Sequence, residues 1–417
     1  MHATRLSNGL RVLTEPMAHL RSVTMGIWVE TGSRHEAPSQ GGISHFLEHL
    51  FFKGTTRRTA AQIAEEIDAV GGVLNAFTTK EYTCFYAKVL PEHLGIATDL
   101  LADLFTASRF AHEEIERERS VVLQEISQLE DTPDDWIHDL FSLDFWAGHA
   151  LARPIAGTVE TVQGLERRQL LDFLAARYRP DRVIIAAAGG VDHARLVASV
   201  ERAFECLEGT SAAFHDSAPA PRRVVHVHEK PLEQLHVCLG VPGLAQSDPE
   251  RYAAHLLNTA FGGGMSSRLF QEIREKRGKA YNVYSFLSSF RDTGYVGVYV
   301  GTSAAWVQEV IDVVRTEAQR LARDGLAPAE LERAKEQVKG SLLLGLETSD
   351  SHMSRIAKNE IYHGRDISID EVRGMIDAVT HDDIVRVAER LLGQGIVACT
   401  VLGNLQGRRL DDEVLGL

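Results

Sequence analysis

The segment that decides the fold reads HFLEHLFFKG and spans His45–Gly54. A weaker copy, HLLNTAFGGG, spans His255–Gly264 in the second half of the chain. Two more matches keep the same order: Glu15–Ser33 resembles Glu229–Ser247, and EIER (Glu114–Arg117) matches ELER (Glu330–Arg333). Three matches in one order indicate a duplicated α+β unit.

The chain of 417 residues is long enough for two or three domains. The stretch 208–222 is rich in Gly, Ser, Ala and Pro and has no apolar period, so it predicts a linker. We therefore predict one domain at residues 1–207 and a related domain at 223–417. Each is expected to be an antiparallel-rich sheet with helices packed on one side.

The same element order is predicted in both halves, because the same hydrophobic patterns recur. A strand opens each half, a helix and a hairpin-like pair of strands follow, and helices fill the remainder. The predicted strands include Ser22–Glu30, Val73–Phe77, Thr83–Val89, Val224–His228, His236–Val241, Ala280–Phe286 and Gly294–Val300, and the predicted helices include Pro91–Phe105 and Ala304–Arg323.

Charge and apolar patterning exclude several classes of protein. The chain has 58 acidic and 44 basic residues and a net charge of −14, which disfavours nucleic acid and anionic membranes as partners. It has no apolar run of about 18 residues, so no membrane-spanning helix is predicted. With no signal-peptide pattern and four cysteines without a CxxC pair, we expect a cytoplasmic protein.

The strongest chemical signal is the HxxEH pattern from His45 to His49. On a helix, positions i and i+4 lie about 40° apart around the axis, so both imidazoles leave one face and can bind one ion. Glu48 is then placed to take a proton from a metal-activated water. Two core histidines beside a surface glutamate are the competing explanation on this pattern alone.

A catalytic zinc ion needs a third protein ligand and an open position. We place the candidate ligand in the segment His112–Asp131, where Glu118 and Glu125 are seven residues apart and share a helix face. Glu125 lies among apolar neighbours, where a carboxylate is costly unless it is paired or bound to metal. A salt-bridged helix glutamate is the alternative.

HFLEHLFFKGT followed by Glu125 resembles the inverted-zincin metallopeptidases of the pitrilysin (M16) family over nearly the whole chain. The closest likeness is to the short two-domain subgroup, which includes the β subunit of mitochondrial processing peptidase and bacterial relatives. The resemblance implies a LuxS/MPP-like metallohydrolase fold with one Zn²⁺ per chain, held by His45, His49 and Glu125. It also implies that Glu48 is the catalytic base and that Glu118 supports the site.

The second copy of the repeat has lost this set of residues. His45, Glu48, His49, Glu118 and Glu125 correspond to His255, Asn258, Thr259, Ala334 and Ser341. The base and two of the three ligands are therefore missing from the second half. Only the first half is predicted to bind the metal, and the second is expected to serve packing and substrate binding.

The resemblance also implies two substrate-binding regions. Asn75, Ala76 and Phe77 match an edge strand beside the metal, where a peptide adds as a further strand. Arg274 and Tyr281 match a pair that holds substrate carbonyl groups and stabilises the tetrahedral intermediate. From the residues alone, an ordinary strand and a salt-bridged arginine beside a half-buried tyrosine explain these positions as well.

Together these features predict a zinc-dependent endopeptidase that cleaves unfolded or extended peptides, with Glu48 as general base. Because both signatures lie on one chain, we expect a homodimer with composite active sites. The main alternative is a non-catalytic structural or partner subunit of an M16-type complex. A zinc hydrolase with a non-peptide substrate is a further alternative.

One histidine pair lies outside these motifs. His226 and His228 alternate along a predicted strand, so both side chains are expected on one face. An HxH pair can bind metal, but no third ligand is evident in the sequence. A solvated strand face is therefore predicted.

Overall fold

The computed structural model describes residues 1–211, 217–410 and 412–415. Its strands, in chain order, are β1 (His2–Arg5), β2 (Arg11–Pro16), β3 (Val23–Val29), β4 (Val73–Thr78), β5 (Thr83–Val89), β6 (Val183–Gly189), β7 (Val224–His228), β8 (Leu235–Pro242), β9 (Ala280–Ser289), β10 (Gly294–Thr302) and β11 (Ala398–Leu402). Its α-helices are α1 (Ile43–Phe51), α2 (Ala60–Ala69), α3 (Leu94–Ala107), α4 (His112–Glu130), α5 (Pro133–Phe145), α6 (Val159–Gly164), α7 (Arg167–Arg177), α8 (His193–Ala203), α9 (Arg251–Gly262), α10 (Val307–Asp324), α11 (Pro328–Gly345), α12 (Ser349–His363), α13 (Ile369–Ala378) and α14 (His381–Leu392). Among the helices of the described residues, none has both the length and the apolar character needed to cross a bilayer.

Two mixed sheets share one topology. The strand order is β1-β2-β6-β3-β5-β4 in the first sheet and β7-β11-β8-β10-β9 in the second. The pairs β2–β6 and β7–β11 are parallel, and the other neighbouring strands are antiparallel. After β1, each strand of the first sheet has a counterpart in the second, as a duplicated unit predicts. The predicted class of antiparallel-rich α+β domains is confirmed.

The central strands of the first sheet are buried on both faces. Every residue of β3 and β6 is buried, as expected for apolar runs that do not alternate. One face packs against α1 and α3. The other face packs against α12, where Trp28 lies among Met353 and Ile356, with its indole N–H 3.0 Å from the Met353 sulfur. Helix α12 therefore completes the core of the first unit.

Helix α5 covers the second sheet in the same way, through a cluster that includes Phe141. Two glycines at equivalent positions of the repeat make both contacts close. An added Cβ at Gly26 in β3 would lie 2.9 Å from Met353 Sδ, and one at Gly240 in β8 would lie 2.3 Å from the Phe141 ring. Glycine at these positions therefore lets each helix approach the sheet closely.

The compact units differ from the contiguous domains predicted from the sequence. Leu129–Ala152 belongs to the second unit and Gly345–Ile367 to the first. Helices lie on both faces of each sheet, where one face was predicted. The cause is that the second face of each sheet is apolar and must be covered, and the local sequence does not reveal which half supplies the helix.

The predicted linker at 208–222 lies partly outside the described residues. Residues 208–211 and 217–222 contain neither helix nor strand. Residues 212–216 are not part of the described chain. Nothing in these described segments conflicts with a linker, and the domain limits at residues 207 and 223 stay a prediction.

Replacing Ile356 by alanine is expected to destabilise the first unit. Ile356 is completely buried in α12 against the first sheet, so the truncation leaves a cavity that costs about 2–5 kcal/mol. The matched control is Ile96→Ala in α3, where the side chain is 39% exposed and the cost should stay within about 0.5 kcal/mol. Urea unfolding compares the two variants, and equal midpoints would contradict the packing role of α12.

Candidate metal centre

Gly42 and Glu36 anchor the first residues of helix α1. Gly42 precedes it with φ 90°, and a Cβ there would lie 2.5 Å from the Ala156 carbonyl oxygen. The Glu36 carboxylate accepts hydrogen bonds from the backbone N–H groups of Gly42 and Ser44 at 2.8 and 2.9 Å. Burial raises the pKa of Glu36 to about 7, against these hydrogen bonds. Glu36 was not identified from the sequence, because no spacing rule links it to the HxxEH pattern.

The apolar face of α1 sets the direction of its polar side chains. Phe46, Leu47 and Leu50 are buried in the core of the first unit, as the amphipathic pattern of a packed helix predicts. His45 and His49, one turn apart, are only partly buried. Their rings lie 4.7 Å apart, centroid to centroid. The two imidazoles therefore share one face, as predicted.

Helix α4 brings Glu125 to this pair of imidazoles. The His45 and His49 Nε2 atoms are 3.3 Å apart, and Glu125 Oε2 lies 3.7 Å from the first and 3.4 Å from the second. Neighbouring ligands at about 2.0–2.1 Å from a tetrahedral zinc ion are themselves about 3.3 Å apart. The triangle of donor atoms therefore fits one such ion, with the fourth side left for water or substrate.

The electrostatics of the histidines suit metal binding. Burial lowers the pKa of His45 to about 4, and the neighbouring His49 adds to the effect. The neutral imidazole is the form that binds a metal. Two imidazoles and one carboxylate form the donor set of many catalytic zinc sites.

The Glu118 carboxylate contacts His49 at Nδ1, the ring nitrogen that is not part of the donor triangle. Its side chain is 3% exposed, and its Oε2 lies 3.3 Å from His49 Nδ1. Its Oε1 lies 2.8 Å from Lys53 Nζ. A carboxylate on the far nitrogen fixes the tautomer and orientation of a metal-binding imidazole. The position of Glu118 thus matches the supporting role that the resemblance implies, and Lys53 is a further partner that the sequence did not indicate.

Glu48 lies on the same helix, between the two histidines in sequence. Its Oε2 accepts a hydrogen bond of 2.5 Å from the Thr78 hydroxyl at the end of β4. Burial raises the pKa of Glu48, and the nearby Glu125 carboxylate raises it further, while Thr78 acts in the opposite direction. Thr78 therefore connects the predicted base to the predicted substrate strand.

Strand β4, which carries Asn75, Ala76 and Phe77, is at the end of the first sheet. Within the described residues it pairs with β5 alone, so one edge faces no other strand. Phe77 packs edge-on against Trp28 at 5.6 Å, while the exposed Asn75 side chain accepts a hydrogen bond from the Ala76 N–H. Phe77 thus packs β4 against the face of the sheet, while the outer edge of β4 is free to pair with a peptide strand.

The predicted Arg274–Tyr281 pair lies within the second unit. Arg274 is in a π-helical turn, Phe270–Glu275, a feature frequent at functional sites. Its guanidinium lies 4.8 Å from both the Phe270 ring and the Tyr281 ring. Tyr281 is 78% exposed. The structure therefore brings the two predicted residues into contact and leaves the phenol accessible.

In the second copy, α9 keeps His255 but has Asn258 and Thr259 where α1 has Glu48 and His49. Asn258 donates to the Ser285 carbonyl at 3.4 Å, and Thr259 donates to the His255 carbonyl at 2.9 Å. Within the described residues, His255 belongs to no group of three potential metal ligands. The helix keeps its place in the fold while its side chains bond to the backbone instead.

Comparisons with known proteins identify the family of the chain. The family described as Insulinase (Peptidase family M16) matches residues 11–159, and the Peptidase M16 inactive domain matches residues 164–338. A relative in Streptomyces coelicolor, named an uncharacterized zinc protease, is 45% identical over 99% of this chain and 92% of its own length. One in Bacillus subtilis, with the same kind of name, is 44% identical over 92% of this chain and 94% of its own length.

Solved structures show the same fold. A peptidase M16 inactive domain protein from Pseudomonas fluorescens superposes with a TM-score of 0.90 at 19% identity, over 98% of this chain and 99% of the other. A protease from Helicobacter pylori gives a TM-score of 0.87 at 22% identity, over 96% and 98%. At such identities the likeness concerns the fold alone, whereas the family matches and the relatives above 40% identity define membership. The chain belongs to peptidase family M16.

Proposed function

We propose that the protein is a zinc-dependent endopeptidase that cleaves extended or unfolded peptides. The observation that carries the proposal is the triangle of His45, His49 and Glu125 donor atoms, with separations of 3.3, 3.4 and 3.7 Å, beside the Glu48 carboxylate. The naming of relatives as zinc proteases supports the same ion.

The chain supplies the proton transfers and the positioning. His45, His49 and Glu125 would hold a zinc ion, and the bound ion would serve as a Lewis acid for the peptide carbonyl and for a water molecule. Glu48 accepts the water proton at Oε1, because Thr78 holds its Oε2, and then passes it to the leaving nitrogen. Glu118 keeps the His49 ring oriented throughout.

The open edge of β4 supports a peptide substrate. A peptide that adds as a strand forms backbone hydrogen bonds that do not depend on its side chains. Thr78 at the end of β4 contacts Glu48, so the added strand would pass beside the base. A folded protein has few free backbone edges, which favours unfolded or extended substrates.

We further propose a homodimer in which Arg274 and Tyr281 of one subunit complete the site of the other. The exposed Tyr281 phenol, stacked on Arg274, offers donors for a developing oxyanion. Because one chain carries both sets of residues, a two-fold dimer would contain two equal composite sites. Each subunit would then give its first unit to one site and its second unit to the other.

Glu48→Gln is expected to abolish peptide cleavage while zinc stays bound. The amide keeps the size of the side chain but cannot accept the proton, and loss of a general base typically lowers the rate about 10²–10⁴-fold. Cleavage of a pool of unstructured peptides is read by mass spectrometry, with metal content measured in parallel.

The matched control is Glu65→Gln, an exposed glutamate on α2, which should cleave as the unmodified protein does. A Glu48→Gln variant that cuts at the normal rate would contradict the role of Glu48. A zinc-loaded unmodified protein that cuts no peptide, alone or as a dimer, would favour the non-catalytic subunit instead.

Glu118→Gln is expected to weaken zinc binding about 10–100-fold, because His49 loses the carboxylate that orients its ring. Zinc affinity is measured by competition with a chelator. The control is Glu113→Gln in the first turn of the same helix. The zinc-saturated Glu118→Gln variant should retain most of its cleavage rate, and unchanged affinity would exclude the supporting role.

Subunit mixing tests the composite site. A Glu48→Gln chain and an Arg274→Ala chain are each expected to be inactive, yet their mixed dimers contain one site with both residues intact. Random assembly should therefore restore about a quarter of the normal activity. The control mixes Glu48→Gln with a chain that carries both substitutions, which should restore none. Complete exchange without recovery would contradict the homodimer.

A further inference from the structure

A second group of potential metal ligands lies within the second unit. Strand alternation puts His226 and His228 of β7 on one face, with ring centroids 4.0 Å apart. Helix α5 brings Asp144 between them: its Oδ1 lies 2.7 Å from His226 Nδ1 and its Oδ2 lies 3.0 Å from His228 Nε2. The three ligand atoms lie within 4.8 Å of one another.

The third ligand that the sequence did not reveal is therefore Asp144. It is far from the histidine pair along the chain, and it belongs to the helix that the first half of the sequence contributes to the second unit. The histidines were predicted to lie on a solvated strand face without a third ligand; His226 is indeed exposed, but both side chains contact Asp144. Only the fold brings these three side chains together.

Burial and a hydrogen bond fix the position of the Asp144 side chain. It is 7% exposed, and its Oδ2 accepts a hydrogen bond of 2.8 Å from the Thr400 hydroxyl on β11. Thr400 lies opposite His226 in the β7–β11 register. Outer hydrogen bonds of this kind orient ligating carboxylates in metal sites. The carboxylate is therefore held toward the histidines before any ion arrives.

The cluster is also accessible. The His226 side chain is 50% exposed and the His228 side chain 20%, which gives an ion a path from solvent. The Asp144–histidine separations of 2.7 and 3.0 Å are shorter than the roughly 3.3 Å between ligands of a tetrahedral ion. An ion bound here would replace these two hydrogen bonds, and the side chains would move to coordinate it.

We propose that Asp144, His226 and His228 bind a second divalent transition-metal ion of the zinc class. Two imidazoles and one carboxylate suit zinc or cobalt(II), and hard oxygen-seeking ions such as calcium and magnesium are disfavoured by two nitrogen ligands. Water completes the coordination on the exposed side of His226. The ion cross-links α5 to β7 and so fastens the exchanged helix to the edge of the second sheet.

The test removes the ligands of the first site, so that ions bound at the second site can be measured alone. In a His45→Ala/His49→Ala background, titration with Zn²⁺ followed by calorimetry is expected to show one bound ion per chain. Titration with Co²⁺ should give the visible absorption of a nitrogen- and oxygen-ligated ion. Adding Asp144→Asn, which preserves the shape of the side chain, should lower Zn²⁺ affinity at least tenfold, and adding His228→Ala should abolish binding.

The matched control adds His19→Ala, an exposed histidine in the first unit, and should leave the second ion in place. Circular dichroism verifies that each variant is folded. Absence of a bound ion in the His45→Ala/His49→Ala protein would overturn the proposal, and so would equal affinities with and without Asp144→Asn. Either result leaves the proposed peptidase function intact, because that function depends on His45, His49 and Glu125.

Discussion

The burial of one face of α1 is the constraint on which the candidate site depends. The apolar face of α1 is buried in the core of the first unit through Phe46, Leu47 and Leu50. The opposite face, with its two histidines, therefore turns toward α4. The Glu36 carboxylate accepts hydrogen bonds from backbone N–H groups at the start of α1 and so anchors this end of the helix. The donor triangle with Glu125 follows from that packing, and the orientation of His49 by Glu118 refines it. The geometry of the three candidate ligands thus depends on the burial of apolar side chains.

Local patterns in the sequence were sufficient for much of the fold. The hairpin strands β4 and β5 lie where alternation and turn residues predicted them, and the HxxEH pattern predicted which side chains leave one helix face. Glu125 could not be separated from a salt-bridged glutamate by the sequence, because its partners are on another helix. The packing of α5 and α12 was missed for a related reason: an apolar sheet face requires a cover, but does not specify where in the chain the cover lies. Asp144 beside His226 is a consequence of the same exchange.

Duplication places two different sets of side chains on one fold. Both repeats keep the strand order and a glycine that admits the covering helix, Gly26 in one and Gly240 in the other. The two copies therefore share their backbone packing, but α9 has Asn258 and Thr259 where α1 has Glu48 and His49, and Asn258 donates to a backbone carbonyl. The second copy instead presents Arg274 against the exposed Tyr281. The two copies thus share an architecture and differ in the side chains that they present.

The most direct test of the account is anomalous diffraction at the zinc absorption edge from crystals of the zinc-loaded protein. The account predicts a strong peak within about 2.0–2.2 Å of His45 Nε2, His49 Nε2 and Glu125 Oε2, with Glu48 beside the open coordination position. A zinc-replete crystal with no anomalous peak between these three side chains would contradict the central claim.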